Sequence, residues 1–492
     1  RPMRVAALVV LAACRAAAPG DGITASALSA DIRAIADDRT EGRGTATPGE
    51  RLAQQYVANR LAADGVAPAA AGSYFQPVHL VLTRAVQASA TLAPFTTFVA
   101  LADGHGAHLD VDAPAVFVGF GISAPEYEHD DLAGVDLHGK IAVVYAGVPA
   151  SLPLIAQARY ADKNAHLASL GAVGTVFVWR DEDEKKAVWS KVAAASAERI
   201  YVATPGGPLG SPAGLRALIP IAELRRLAPA DALAHPPVEL GRIHGVWDTT
   251  TEVRDSANVV GVVRGRDPAL AGKYVVYTAH LDHLGTNPAL PRDPIFNGAI
   301  DNGSGVATML QVARAFARKP AARSALFVAT TGEERGLVGA AAFVASPPVP
   351  EQAMIADLNI DEVPALLPLR DVVALGIDGS PLAGDVRAAA AARGLAVSPD
   401  PEPEQTYFLR GDNVRFAQAG IPALRIEPGE LDAAGGLDAG RRAHAAWVRE
   451  RYHTPKDEWR PDLDFDAMAA FARFAFELGQ QIGNAPRGSR RP

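Results

Sequence analysis

The chain has 492 residues, an ordinary apolar share of 49% and a formal net charge of −8. That length exceeds a usual single domain, so two or three units are expected. Mild acidity, with no basic stripe ahead of the Arg487–Arg491 cluster, argues against a nucleic-acid partner.

Met3-Arg4 leads into a short apolar run that ends Leu11-Ala12-Ala13-Cys14. A positive start, an apolar run and small residues before a cysteine resemble a bacterial lipoprotein signal. Residues 1–24 are therefore expected to be a leader and Cys14 a lipid-anchor site on a bacterial membrane. The implied location is the periplasm or the outer membrane. Cys14 is the only cysteine, so no intrachain disulfide can form. No later stretch is long and apolar enough to span a bilayer.

Ala27–Ala36 is amphipathic, and Arg39 to Pro48 is a Gly-rich loop. Pro48 to Asp64 predicts a helix with Leu52, Tyr56, Val57 and Leu61 on one face, stopped by Gly65. Phe75 to Leu92 reads as extended. The character then changes over residues 113–238. Strand runs such as Gly139-Lys140-Ile-Ala-Val-Val, and the turn Gly171-Ala-Val-Gly174, look like a protease-associated (PA) domain.

The pattern returns to buried strands at Asp255-Ser-Ala-Asn258-Val-Val-Gly. Lys273 to Ala279 predicts a strand that delivers His280-Leu-Asp282-His283 at its carboxyl end. Asn297-Gly298-Ala-Ile-Asp301-Asn302-Gly303-Ser304-Gly305 precedes an apolar-periodic helix over 306–318. A second buried strand, 325–331, delivers Glu333-Glu334. Met354–Ile360 runs into Asp361, and 366–377 gives further strand. An Ala-rich helix over 379–393 stops at Gly394. Tyr452-His453-Thr454-Pro455 lies in a loop ahead of a closing helix over 464–482, and residues 485–492 are expected to be a disordered tail.

In open α/β sheets, sites form at the carboxyl ends of strands. Here imidazoles and carboxylates gather on such ends. Nitrogen and oxygen donors of this kind suit zinc. Adjacent side chains at Glu333 and Glu334 point different ways, so one can ligate while the other faces substrate as a base. Each piece alone has an ordinary reading: Asp301-Asn-Gly as a turn, Glu333-Glu334 as a solvated helix start, His453-Thr-Pro as a loop. Their joint occurrence in this order favours a site.

The ordered set resembles the M28 family of dizinc exopeptidases, whose pattern is His-x-Asp, Asp-Asn/Asp-Gly-x-Gly, Glu-Glu, Asp and Tyr-His-Thr-Pro. The resemblance implies an α/β fold: a mixed β-sheet flanked by helices on both faces, a zinc exopeptidase (phosphorylase/hydrolase-like) core, with an inserted mainly-β PA domain. The implied division is 25–112 for the N-terminal part of the peptidase domain, 113–238 for the PA insertion and 239–484 for the catalytic domain. It implies two Zn2+ per chain, with His280, Asp301, Glu334, Asp361 and His453 as ligands and Asp301 bridging. Glu333 is the implied general base. A cis peptide between Asp301 and Asn302 is implied as well. Asp282 is expected to accept from the free ring nitrogen of His280 and orient it. Tyr452 is a candidate to hold the oxyanion, and Tyr407 a weaker one. Gly411 and Asn413 stand where the family pattern has Ser and His, a departure that bears on pocket shape. The implied activity is a zinc aminopeptidase on peptides with a free amino end. Competing classes are a carboxypeptidase on acidic C-terminal residues, a glutaminyl cyclase and a non-enzymatic receptor-like homologue.

Overall fold

The structure is a computed structural model that describes residues 20–183, 188–196, 198–204 and 207–486. The expected leader up to residue 19, Cys14 with it, and the tail from residue 487 lie outside the described residues. Among the described residues no helix is long and apolar enough to cross a membrane.

Three parallel strands form the centre of the main sheet. Tyr274–His280 lies between Ser324–Thr330 and Met354–Asn359, with His280 opposite Thr330 and Thr278 opposite Asn359. Met354–Asn359 continues in parallel to Ala423–Pro428, which pairs antiparallel with Asp371–Leu375. On the other side Ser324–Thr330 pairs antiparallel with the end of Val238–Val263. The sheet is thus mixed. Ser324–Thr330 is buried throughout, and Tyr274–His280 nearly so. Their continuous apolar runs follow from burial on both faces.

Helices cover each face. Ala25–Ile35, Gly305–Arg318, Ala383–Ala392 and Phe465–Asn484 pack one core with Val275, Tyr277 and Phe327. Val338–Ala345 and Asn413–Gln418 pack the other through Phe343 and Phe416, against Val276 and Val328. Alternate residues of one strand therefore serve opposite cores, as a period of two demands.

The helix Pro48–Ala63 forms where expected, but its buried face differs. Val57 and Leu61 are buried, whereas Leu52 is 56% exposed. Glu50 and Gln54 turn inward instead. Gln54 donates to the Ser256 hydroxyl and the Ala257 carbonyl, and these polar anchors set the helix rotation.

A second core lies in the middle of the chain. Strands His108–Phe117, Ile141–Tyr145, Gly174–Trp179 and Leu215–Pro220 run parallel in that order and bury Phe117, Val143, Val176 and Ile219. This packed unit reaches past residues 113–238 at both ends, taking in Leu92 and Phe95 upstream and Ile243 and Trp247 downstream. The reason is one strand of 26 residues, Val238–Val263. Its first part pairs with His108–Phe117, its middle with Phe75–Ala85 and its end with Ser324–Thr330 of the main sheet.

Candidate functional site

The in-register parallel strands end together, so the residues just beyond them converge. His280 closes its strand. Glu333 and Glu334 come three and four residues after Thr330, and Asp361 two after Asn359. Asp301 arrives from the irregular turn Ala299–Ser304, ahead of the helix Gly305–Arg318. The Asp301–Asn302 peptide is cis, as the resemblance implied.

Two groups of donors result. His280, Asp301 and Asp361 form one, and His283, Asp301 and Glu334 the other. His280 Nε2 stands 3.0 Å from Asp361 Oδ1 and 3.2 Å from Asp301 Oδ1. The other Asp301 oxygen faces away from His280: Oδ2 is 3.1 Å from His453 Nε2 and 3.7 Å from His283 Nδ1. Glu334 completes that side, with Oε1 2.8 Å from His283 Nδ1 and Oε2 3.5 Å from His453 Nε2. The structure therefore gathers all five residues expected as ligands and places Asp301 between the two groups.

Electrostatics follow this packing. Burial pushes the Asp301 carboxyl up, but His283, His280 and His453 outweigh it and hold it well below the usual range. Glu334 is likewise held at about 2, against burial and Asp301, by His283 and His453. His453 is raised to about 11, because Asp301 and Glu334 overcome its desolvation. Glu333 behaves oppositely. Burial pushes its carboxyl well above the usual range despite nearby His280, and Asp361 and Glu334 push the same way. Two neighbouring glutamates thus have pKa values driven apart, a pattern found where acid–base roles are divided.

Asp282 is placed differently from expectation. His280 Nδ1 points to the backbone carbonyl of Asp282 at 3.1 Å, while the Asp282 carboxylate is 3.9 Å away. That carboxylate instead accepts from the Thr45 hydroxyl at 2.8 Å and from the Glu333 backbone N–H at 3.0 Å. Its contacts make it a clamp on the Glu333 segment. Tyr452 lines the cleft over the cluster, stacks on His453 at 3.9 Å between ring centres, and accepts from Arg410 at 3.4 Å. Tyr407 also lines the cleft.

Several residues here escaped sequence reasoning. His283 is buried, and its Nε2 has no hydrogen-bond partner. Gly298, at φ +58, is required beside it: a Cβ there would lie 2.6 Å from the imidazole ring. Asp457 accepts from the Ile300 and Asp301 N–H groups at 3.0 Å each and so holds the turn that carries Asp301. Arg43 is fully buried beneath the segments that carry His280 and Asp301 and donates to the carbonyls of Leu281 and Gly298 at 2.7 and 2.8 Å. Arg425 donates to Asp361 Oδ2 at 2.7 Å. A charged residue inside the apolar run Ala423-Leu-Arg-Ile was the available signal for Arg425. At the departure from the family pattern, a Cβ on Gly411 would lie 2.8 Å from Asn413 Oδ1 and 3.4 Å from Asp361 Oδ2. Gly411 and Asn413 are therefore matched to each other.

The donor set of imidazoles and carboxylates fits zinc. The profile of Peptidase family M28 matches residues 258–478. The chain is 32% identical to a probable leucine aminopeptidase 2 of Aspergillus fumigatus over 185 residues, 36% of this chain and 34% of that protein. It is 32% identical to a vacuolar membrane protease of Eremothecium gossypii over 105 residues, 21% of this chain and 9% of that one. The chain thus spans about a third of the first relative's length and about a tenth of the second's. Over nearly its whole length it shares a fold with an aminopeptidase from Aneurinibacillus sp. strain AM-1, at 20% identity and a TM-score of 0.51, covering 94% of this chain and 95% of that one. Residues 258–478, which the M28 profile matches, carry every donor of the cluster.

Proposed function

We propose that this chain is a zinc-dependent aminopeptidase that removes residues from the free amino end of peptides. The observation that carries the reading is the position of Asp301, with one carboxylate oxygen toward His280 and the other toward His453 and His283. A single carboxylate between two donor groups suits a pair of cations. His280 and Asp361 would hold one zinc, Glu334 and His453 the other, and Asp301 would bridge them. Zinc at such a site supplies Lewis-acid polarisation of a carbonyl and lowers the pKa of water.

The protein's own residues do the rest. The Asp282 carboxylate accepts the Glu333 N–H and fixes where the Glu333 side chain starts. The raised carboxyl pKa of Glu333 suits a group that takes a proton and passes it to the leaving amine. Tyr452 is held against His453 and Arg410 with its hydroxyl at the cleft, where it can donate to an oxyanion. Asp457 and Arg43 keep the bridging turn in place through its backbone. On the same reading the middle unit is a protease-associated insertion, and the leader exports the chain and anchors it at Cys14.

The test is hydrolysis of a peptide library with free and acetylated amino ends, with zinc and with chelator, beside zinc content by elemental analysis. Cleavage from the free amino end only, lost with chelator and restored by zinc, is expected. Release of C-terminal residues, pyroglutamate formation from Gln-initiated peptides, or no bound zinc would each overturn it.

A further inference from the structure

Asp301, Glu333, Glu334, Asp361 and Glu362 all line the cleft over the donor cluster. Three of these carboxylates pair with imidazoles: Asp301 with His280 and His453, Glu334 with His283, and Asp361 with His280. Glu333 is the base of the proposed reaction. Glu362 has no such partner. It is half-buried, and among the described residues no hydrogen bond or ion pair reaches its carboxylate. Neither of its oxygens is closed off from solvent. The arginines of the cleft are committed elsewhere. Arg425 bonds Asp361 at 2.7 Å and also Glu427, while Arg410 and Arg415 donate to the Tyr452 hydroxyl and the Gly336 carbonyl.

The backbone fixes where this carboxylate starts. Glu362 stands at φ +64, a left-handed conformation that residues with side chains rarely adopt. Its N–H donates to Asn302 Oδ1 at 3.1 Å, and Asn302 Nδ2 donates to the Ile360 carbonyl at 3.0 Å. One amide thus brackets Asp361 on both sides and ties Glu362 to the turn that carries Asp301. The carboxylate stands near two rings of the cleft: burial is the main cause that raises the Tyr407 and Tyr452 hydroxyls, and the Glu362 charge adds to it in both. Burial, then Asp301 and Asp361, push the Glu362 carboxyl itself well above the usual range, against the pull of Arg425. A cationic ligand group set against it offsets that push, whereas a neutral group would bury it unmatched.

We propose that Glu362 holds the α-ammonium of the substrate's first residue and so restricts the cleft to peptides with an unblocked amino end. The inference rests on the aminopeptidase reading, in which that ammonium is one carbon away from the carbonyl set against the donor cluster. A residue next to Asp361 is placed for a group so close to the reacting carbonyl. The head of a lysine side chain lies several carbons further off. An acetylated amino end carries no charge and would leave Glu362 without a partner.

The test is calorimetry on the zinc-loaded full chain with three probes. These are leucinamide, isocaproamide, which is the same molecule without its amine, and ε-aminocaproamide, whose amine lies at the far end. Leucinamide should bind at least about tenfold more tightly than isocaproamide, the weight of one hydrogen bond to a charged group. Glu362→Gln should remove most of that ratio and leave zinc content at the parent level. Glu362→Asp, which keeps the charge, should restore part of it. With leucine p-nitroanilide the loss should fall on KM more than on kcat. Equal binding of leucinamide and isocaproamide by the parent, or a ratio untouched by Glu362→Gln, overturns the assignment. Dependence on Glu362 shown by ε-aminocaproamide alone overturns it by placing a side-chain cation there, and zinc loss in Glu362→Gln overturns it by making Glu362 a ligand. A leucinamide preference that depends on Glu362, in a chain that cleaves no free-ended peptide, sustains the assignment and overturns the aminopeptidase reading instead.

Discussion

Glu333 and Glu334 are adjacent in sequence and opposite in environment. Glu334 lies between two imidazoles, and Glu333 is desolvated among carboxylates. Glu333→Gln keeps the shape and removes the proton acceptor. It is expected to retain bound zinc and lose about 10²–10⁴-fold in kcat, the usual weight of general-base catalysis. Glu334→Gln removes a charged ligand and is expected to lower zinc content, with partial recovery of activity in excess zinc. Elemental analysis beside kcat separates them; a Glu333→Gln chain that loses metal while Glu334→Gln keeps it reverses the assignment. His283 gives a second expectation. Its Nδ1 reaches Glu334 Oε1 at 2.8 Å, so it orients that carboxylate. His283→Ala should weaken zinc affinity by about 10–100-fold, the usual effect of a lost supporting contact. Competition with a metal-binding dye measures this without reference to turnover, and an unchanged affinity would remove His283 from the site.

The helix Pro48–Ala63 illustrates how a polar anchor can override an apolar face. Glu50 is fully buried and accepts from the Thr331 and Ser256 hydroxyls and the Ala46 N–H. Thr331 begins the turn that carries Glu333, and Thr45, just ahead of the helix, bonds Asp282. The helix is thereby tied to the segment that carries Glu333. Burial, reinforced by Asp282, raises the Glu50 carboxyl from its usual 4.5 to about 8. Between those values the folded chain keeps a proton that the unfolded chain releases. This stabilising contribution is complete below about 4.5 and is lost as pH rises through about 8. Glu50→Gln has no proton to lose, so its stability should gain on the parent's between pH 5 and pH 8. Guanidinium unfolding at both pH values, in chelator, reads the difference. A gap that does not change with pH would mean that Glu50 is already ionised at pH 5.

Two cores share one strand, and that connection has consequences for the molecule as a whole. Trp247 is 2% exposed in the middle core, while Val259 and Val260 of the same strand are fully buried in the main sheet. Trp247→Ala should cost about 3–5 kcal/mol. Because Trp247 packs within the middle core, the cost should fall there. Amide exchange is expected to rise across 108–117 and 215–220 while zinc content stays at the parent level. Zinc loss in parallel would show that the two cores unfold as one.

The central strands and the main helices were legible from apolar runs and periodicity, which are local in sequence, whereas the five residues expected as ligands came from the resemblance to the M28 pattern. An apolar run makes a buried strand, and the strand's carboxyl end presents the next few side chains at the sheet rim. The Leu52 face failed because the rotation of that helix is set by Ser256 and Thr331, some two hundred and more residues away. The Asp282 role failed for a similar reason: its carboxylate answers to Thr45 and the Glu333 N–H. Arg43 lies 238 residues from Leu281, and Asp457 lies 156 from Asp301. No periodicity links such pairs. Local pattern was enough for the residue types and their strand ends. Which oxygen faces which imidazole, and which charges stay unpaired beside them, came from packing between distant segments, where burial makes every unmatched charge costly.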